Sequence, residues 1–303
     1  MKLLITGAAH FNDEQLNMIS SLGFDIVFQA DEKGEPVTDF STIDAVVCNG
    51  LFLYHDFDEF KNLKFIQLTS AGLDRVPVKR IKEKGTDLFN ARGVYSIPMA
   101  EYALSGVLGL YKNLSFFNSN QKKHIWEKDR NIVELNGKTV TIIGCGSVGT
   151  ECAKRFKAFE TNVIGVDIFN NGNPYFDEFY LLSDIGIALN KADIVVLTLP
   201  LTDETKGMFN EELFSEFKNN SILVNIARGS IVNECDLINA LEKGKLGGAV
   251  LDVVEEEPLP ENSPLWDMKN VIITPHNSFV SPNNTKRLFE LAYNNLKCFT
   301  EGK

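Results

Sequence analysis

Three polar residues late in the chain are of the types that proton and anion chemistry needs. Arg228 sits in Asn225-Ile226-Ala227-Arg228-Gly229, Glu257 closes the run Leu251-Asp252-Val253-Val254-Glu255-Glu256-Glu257, and His276 sits in Thr274-Pro275-His276-Asn277. A guanidinium can grip a carboxylate through two parallel hydrogen bonds and polarise a neighbouring ketone. An imidazole, with a reference pKa of about 6.5, gives or takes a hydroxyl proton near neutrality. A carboxylate beside it fixes its tautomer and favours its protonated form. Singly, each residue has a plainer reading: a loop cation, one member of an exposed acidic run, a surface histidine after a proline. Each follows an apolar strand-like run, so all three can reach one end of one sheet, where ligands bind in open α/β folds. Their shared chemistry is proton transfer at an oxygen-bearing carbon next to a carboxylate.

A second pattern lies upstream. The run Thr139-Val140-Thr141-Ile142-Ile143 leads into Gly144-Cys145-Gly146-Ser147-Val148-Gly149. Glycine turns are common, but this one has a strand before it, a helix after it and an acid at the end of the next strand. Gly144 permits a tight turn, Gly146 lets backbone approach a pyrophosphate, and Gly149 lets helix pack closely on strand. The phosphates would sit at the helix N-terminus. Asp167 falls eighteen positions beyond Gly149, near the ~20 expected of an acid that binds the ribose hydroxyls. Its charge would repel a 2′-phosphate, and no Lys or Arg lies between Thr161 and Asn190 to neutralise one, so the expected cofactor is NAD rather than NADP. Cys145 reads as a spacer in this loop rather than as a redox thiol.

These residues need a scaffold, and the hydrophobic pattern supplies two. Leu3–Thr6, Phe24–Phe28, Ala45–Cys48, Phe65–Leu68 and Asp87–Phe89 read as buried parallel strands, with helices at Asp13–Ser21 and Val78–Lys84. Pro98–Asn118 reads as one long helix begun by proline, followed by a polar stretch from Asn120 to Asn136. A second series has six strands: Thr139–Ile143, Asn162–Val166, Ile194–Leu199, Ile222–Asn225, Gly248–Asp252 and Val271–Thr274. Pro282–Thr300 reads as an amphipathic helix. The fold class is therefore α/β, with two doubly wound parallel sheets, Rossmann-like and flavodoxin-like.

With these motifs in order, the chain resembles the D-isomer-specific 2-hydroxyacid dehydrogenases, phosphoglycerate dehydrogenase among them. Asn225–Gly229 resembles the family's arginine motif, Leu251–Pro260 its glutamate motif and Thr274–His276 its histidine motif. Leu199-Pro200-Leu201-Thr202 with Thr205 resembles its cofactor-side loop. The resemblance implies that His276 is the acid/base, Glu257 its partner and Arg228 the substrate anchor. It implies that Asp252 holds the nicotinamide carboxamide, and that Leu199, Pro200, Thr205, Ala227, Arg228 and His276 border the cofactor. Ser70-Ala71-Gly72-Leu73-Asp74 resembles the substrate loop, whose backbone N–H groups at Ser70, Ala71 and Gly72 bind the carboxylate; alone, it would read as an ordinary strand-to-helix turn. The implied architecture is a substrate-binding domain of residues 1–97 plus 278–303, an NAD-binding Rossmann domain of residues 98–277, a cleft between them that closes on substrate, and a homodimer. The implied reaction moves a hydride between NAD(H) and C2 of a small 2-hydroxy or 2-keto acid.

The chain departs from the family at Phe279, where many members carry Ala or Gly, which points to an unusual pocket, while Tyr95, in Gly93-Val94-Tyr95-Ser96, reads as a packing residue near a cleft edge. Composition bounds the alternatives. The net charge of −11 disfavours nucleic acid and anionic membranes as partners. No apolar run approaches the ~20 residues of a membrane helix, no leader peptide is read, and five scattered cysteines show neither disulfide nor metal spacing, so the expectation is a cytoplasmic protein without a metal. Two other readings remain: an NAD(H)-responsive corepressor-like binding protein, and an NADP-dependent glyoxylate or hydroxypyruvate reductase, which Asp167 disfavours.

Overall fold

The computed structural model describes residues 1–170 and 172–302. They form two compact units, one of Met1–Tyr95 with the segment from Ser281 onward, the other of Ser96–Val280.

The first unit is built on β1 (Lys2–Thr6), β2 (Asp25–Gln29), β3 (Ala45–Cys48), β4 (Phe65–Leu68) and β5 (Asp87–Phe89), with helices α1 (Asp13–Ser20) and α2 (Val78–Lys84). All pairings are parallel, in the order β2-β1-β3-β4-β5. The central strands β3 and β4 are buried at every position, which is why they read as unbroken apolar runs rather than alternating ones. Asn12 begins α1 with a reciprocal cap, its side chain accepting from Gln15 N while Gln15 Oε1 accepts from Asn12 N.

The second unit opens with α3 (Ser96–Tyr111) and α4 (Leu114–Lys122). The single helix expected over Pro98–Asn118 is therefore two helices. The break is at Asn113, whose φ of 48° and ψ of 48° are left-handed. Asparagine tolerates that conformation better than most residues, and here its Nδ2 donates to Asp129 Oδ2 at 2.8 Å. The helix also begins at Ser96, so Pro98 stands in its first turn, where a missing N–H costs nothing. Gly106 lets α3 press on the sheet: a Cβ there would lie 2.4 Å from Val250 Cγ1.

Next come β6 (Thr139–Ile143), α5 (Ser147–Lys157), β7 (Asn162–Asp167), β8 (Glu178–Leu181), α6 (Ile185–Lys191), β9 (Ile194–Leu197), α7 (Glu211–Ser215), β10 (Ser221–Asn225), α8 (Glu234–Glu242), β11 (Leu246–Leu251) and β12 (Val271–Ile273). The parallel order is β12-β11-β10-β9-β6-β7-β8, seven strands rather than the six expected. The unforeseen strand is β8, at the sheet edge on β7; its apolar run, Phe179-Tyr180-Leu181, is short and none of its residues is fully buried. Chain direction across the sheet switches between β6 and β9, the place where doubly wound sheets open a crevice for ligands.

The chain then returns to the first unit as α9 (Asn284–Thr300). Phe289 and Leu296 join Leu3, Ile5, Ala45, Val47 and Phe65 in one buried cluster. Asn295 Nδ2 donates to the fully buried Gln67 Oε1 at 2.7 Å, satisfying a polar group inside that layer.

Candidate active site

The glycine loop turns between β6 and α5. Gly144 has a φ of 96°, and a Cβ there would lie 2.6 Å from Leu199 N, so the Leu199–Thr205 loop lies directly against it. Thr198 Oγ1 donates to Gly144 O at 2.6 Å. A Cβ on Gly149 would lie 2.1 Å from that same carbonyl, so this glycine sets the helix-to-loop contact. Gly146 differs: a Cβ there would meet nothing within 4 Å. It begins the 11-residue α5 without a side-chain cap, so the first-turn amides and the positive end of the helix dipole are left for an anion. The side chains of Ser147 and Val148 are half-buried in that first turn.

Cys145 is turned under the loop, 2% exposed, its sulfur where a Cβ on Gly165 would fall within 2.9 Å. Burial, then the charge of Asp167, pushes the thiol up to about 12, as suits a packed spacer. Asp167 ends β7 and accepts from Cys145 N at 2.6 Å through Oδ2 and from Ile168 N at 2.7 Å through Oδ1. It thus ties the glycine loop to the strand end where a ribose would lie. Thr205 is 7% exposed; its hydroxyl donates to Pro200 O at 2.8 Å and accepts from Thr202 N at 2.8 Å, closing the loop on itself, while Pro200 is exposed. The open Gly146, the uncapped helix and the acid at the strand end fit a dinucleotide.

The arginine loop follows β10. Asn225, 1% exposed, accepts from Ala227 N at 3.1 Å and donates to Arg228 O at 3.0 Å, so one buried amide shapes the whole turn. Arg228 is half-buried, and its Nη1 donates to Ala227 O at 2.8 Å. A Cβ on Gly229 would lie 1.7 Å from Val254 O. Only glycine lets the arginine loop press so closely on the backbone that leads to Glu257.

His276 has a left-handed φ of 51°, which costs a non-glycine residue about 1–3 kcal/mol unless its surroundings hold it. They do. His276 N donates to Asp252 O at 2.7 Å and to Thr274 O at 3.0 Å. The Asp252 side chain, 1% exposed, accepts from Asn277 N at 2.7 Å, from Ser278 N at 3.0 Å and from Thr274 Oγ1 at 2.6 Å. Thr274 Oγ1 is also 2.6 Å from the Tyr102 hydroxyl. A carboxylate only accepts, so Thr274 directs its one proton to Asp252, and Tyr102 donates to Thr274. In this structure Asp252 is the clamp of the histidine loop.

His276 Nδ1 is 2.9 Å from Glu257 Oε2. The carboxylate again can only accept, so Nδ1 carries the proton and Nε2 is left as the ring atom that can exchange one. Side chains of both residues stay partly exposed, 36% and 40%, and Phe279 stands edge-on to the imidazole at 6.0 Å and 87°. Glu257 and His276 thus form a couple, and the arginine loop abuts the glutamate loop through Gly229 and Val254. Ser70, Ala71 and Gly72 lie in the first unit, in the loop after β4. The sequence reading missed Thr198, Tyr102 and the side chain of Asn225, whose hydroxyl and amide groups give no signal outside their partners. No group of three or more metal-ligating side chains occurs among the described residues, and no described helix is long and apolar enough to cross a membrane.

Residues 104–278 match the model of the D-isomer specific 2-hydroxyacid dehydrogenase NAD-binding domain. A D-3-phosphoglycerate dehydrogenase of Methanocaldococcus jannaschii is 33% identical over 286 residues, 91% of this chain and 53% of that protein, so the chain spans about half its length. A glyoxylate reductase of Thermofilum pendens is 32% identical over 256 residues, 81% of this chain and 74% of that protein. A D-isomer specific 2-hydroxyacid dehydrogenase family protein of Aeromonas salmonicida superposes with a TM-score of 0.85 at 31% identity, over 100% of this chain and 96% of that one. At 25% identity stand a D-lactate dehydrogenase of Aquifex aeolicus complexed with NAD and lactic acid (TM-score 0.81, 99% and 96% covered) and a Xanthobacter autotrophicus family member in complex with NADPH and MES (TM-score 0.82, 100% and 95% covered). The chain belongs to the D-isomer specific 2-hydroxyacid dehydrogenase family, an oxidoreductase family with an NAD(P)-binding domain.

Proposed function

We propose that this protein is an NAD-dependent D-2-hydroxyacid dehydrogenase acting on a small 2-hydroxy or 2-keto acid. The observation that carries the reading is the His276–Glu257 couple, held at 2.9 Å through Nδ1. A bound nicotinamide supplies or accepts the hydride at C2. His276 Nε2 gives the C2 oxygen its proton during reduction and takes it back during oxidation, while Glu257 stabilises the imidazolium formed between these steps. Arg228 anchors the substrate carboxylate and polarises the C2 carbonyl. The Ser70–Gly72 backbone N–H groups provide a second hold on that carboxylate. Asp252 keeps the histidine loop in place and borders the carboxamide. NAD is favoured over NADP by Asp167, because a 2′-phosphate would meet a carboxylate with no cation nearby in sequence.

The reading includes a homodimer. Ile125, Trp126, Ile132 and Val133 are exposed, Trp126 to 99%, and a second copy would cover such a cluster. It also includes a cytoplasmic location, suggested by the number and scatter of the five cysteines.

The test is oxidation of NADH and NADPH, followed by nicotinamide absorbance, against glyoxylate, hydroxypyruvate, pyruvate, branched and aromatic keto acids and 2-oxoglutarate. Turnover of at least one acid with a clear preference for NADH is the expected result. Equal kcat/KM with NADPH would overturn the cofactor assignment. Tight NADH binding with no turnover of any acid would favour a binding protein instead.

A further inference from the structure

The loop after β4 has a polarity that its sequence does not announce. Four successive carbonyls are occupied from within the first unit. Thr69 O accepts from the Tyr95 hydroxyl, Ser70 O from Ala91 N at 2.8 Å, Ala71 O from Asn90 Nδ2 at 2.7 Å and Gly72 O from Ser70 Oγ at 3.0 Å. The N–H groups of Ser70, Ala71 and Gly72 have no acceptor among the described residues. These two facts are linked by covalent geometry. In a trans peptide the carbonyl of one residue and the N–H of the next lie in one plane and point opposite ways. Holding the carbonyls of residues 69, 70 and 71 against the segment after β5 therefore turns the N–H groups of residues 70, 71 and 72 outward. Ala71 is exposed, and Ser70 and Gly72 are half-exposed, so the three donors are accessible. Helix α2 starts only at Val78, so they are not the first turn of a helix.

We propose that Asn90 and Tyr95 are positioning residues that aim these three donors at the substrate carboxylate; this rests on the reading of the Ser70–Gly72 loop given above. Each side chain is matched to its task. The Asn90 amide is oriented from both ends, since its Oδ1 accepts from Arg92 N at 3.2 Å while its Nδ2 donates to Ala71 O. Aspartate has nearly the same shape but presents an acceptor to an acceptor. Tyr95 is half-buried, and phenylalanine would keep its packing while freeing Thr69 O. With a carbonyl released, its peptide plane can rotate and the donor on the other side of that plane loses its aim.

The experiment compares the unchanged chain with Asn90→Asp and Tyr95→Phe. For each, KM and kcat are measured for the best keto acid of the panel and for its methyl ester, with the Kd of NADH from fluorescence and the Kd of oxamate from calorimetry on the NADH-loaded protein. The expected result is a rise of roughly tenfold in keto-acid KM and oxamate Kd in each variant. NADH affinity, kcat/KM for the ester and the thermal midpoint should change little. A merely structural role would lower acid and ester rates together, and that parallel loss would overturn the proposal. Unchanged keto-acid KM and oxamate Kd in both variants would overturn it too, while leaving the dehydrogenase reading intact. If the unchanged chain neither reduces any acid nor binds oxamate, the reading of the loop falls and the proposal with it.

Discussion

The two units share a construction and differ in what fills the switch point. Each is a doubly wound parallel sheet with a switch point, at β1 and β3 in the first and at β6 and β9 in the second. In the second unit the strand end leads to Gly146 and an uncapped helix, and the donors there await an anion. In the first unit the donors that follow β3, on the other side of the switch point, are taken. Glu32 accepts from Thr6 Oγ1 at 2.7 Å and from Asn49 N and Gly50 N, both at 2.6 Å. The chain's own carboxylate thus occupies the backbone donors at this switch point. In the second unit Asp167 takes only the Cys145 N–H of the glycine loop and leaves the N-terminus of α5 open, so the same topology yields a cofactor site or a closed corner according to which donors the chain's own acid reaches.

The largest effect should come from the reacting end of the second unit. His276→Ala should lower kcat by ~10²–10⁴ while NADH still binds, as steady-state rates and fluorescence titration would show. Next is a direct test of the contrast between switch points. Gly146→Val fills open space, so the chain should fold with a normal circular dichroism spectrum yet bind NADH roughly tenfold or more weakly. Glu32→Gln should do the opposite, costing about 1–3 kcal/mol in denaturant unfolding with no change in NADH affinity. An NADH defect in Glu32→Gln would end the comparison.

A smaller effect should follow from Thr274→Val, which keeps the shape but cuts the Tyr102–Thr274–Asp252 chain. Asp252 loses one donor and His276 part of the support for its left-handed backbone, so kcat should fall roughly tenfold. Cofactor affinity should hold.

The smallest concerns thiols. Burial pushes Cys145 and Cys152 up to about 12 and Cys48 also upward, whereas Cys235 and Cys298 are exposed. The thiolate is the reactive form, so at about pH 8 a colorimetric disulfide reagent should count two thiols in the native chain and five after denaturation. The same shifts set a sign. Between about pH 9 and 12 the unfolded chain gives up thiol protons that the folded one retains, so stability should fall as pH rises through that window.

Much of the scaffold was legible because buried parallel strands are apolar throughout. Ala45–Cys48 and Phe65–Leu68 are seen at the bounds their composition suggests. What escaped were elements decided by partners elsewhere. The edge strand β8 offers only the short run Phe179-Tyr180-Leu181, too brief to tell a strand from a helix turn, and the break at Asn113 is met by Asp129, sixteen residues on. The site divides similarly. Arg228, Glu257 and His276 could be read as a set because their motifs are local. The restraints on them could not: Tyr102 meets Thr274 across 172 residues and Thr198 meets Gly144 across 54, separations over which residue type alone says nothing about contact.

The insertion of one unit within the other has a consequence for synthesis. The second unit is a continuous stretch, so every strand of its sheet is available once residue 280 has emerged. The first is not. Its five strands are all translated before residue 90, yet the side of Leu3, Ile5 and Phe65 that α9 covers stays bare until Phe289 and Leu296 arrive. At typical rates of ~5–20 residues per second, that apolar face waits on the ribosome for roughly 10–40 s. The sheet made first is the one finished last, and a nascent chain halted before α9 would offer a chaperone its clearest target.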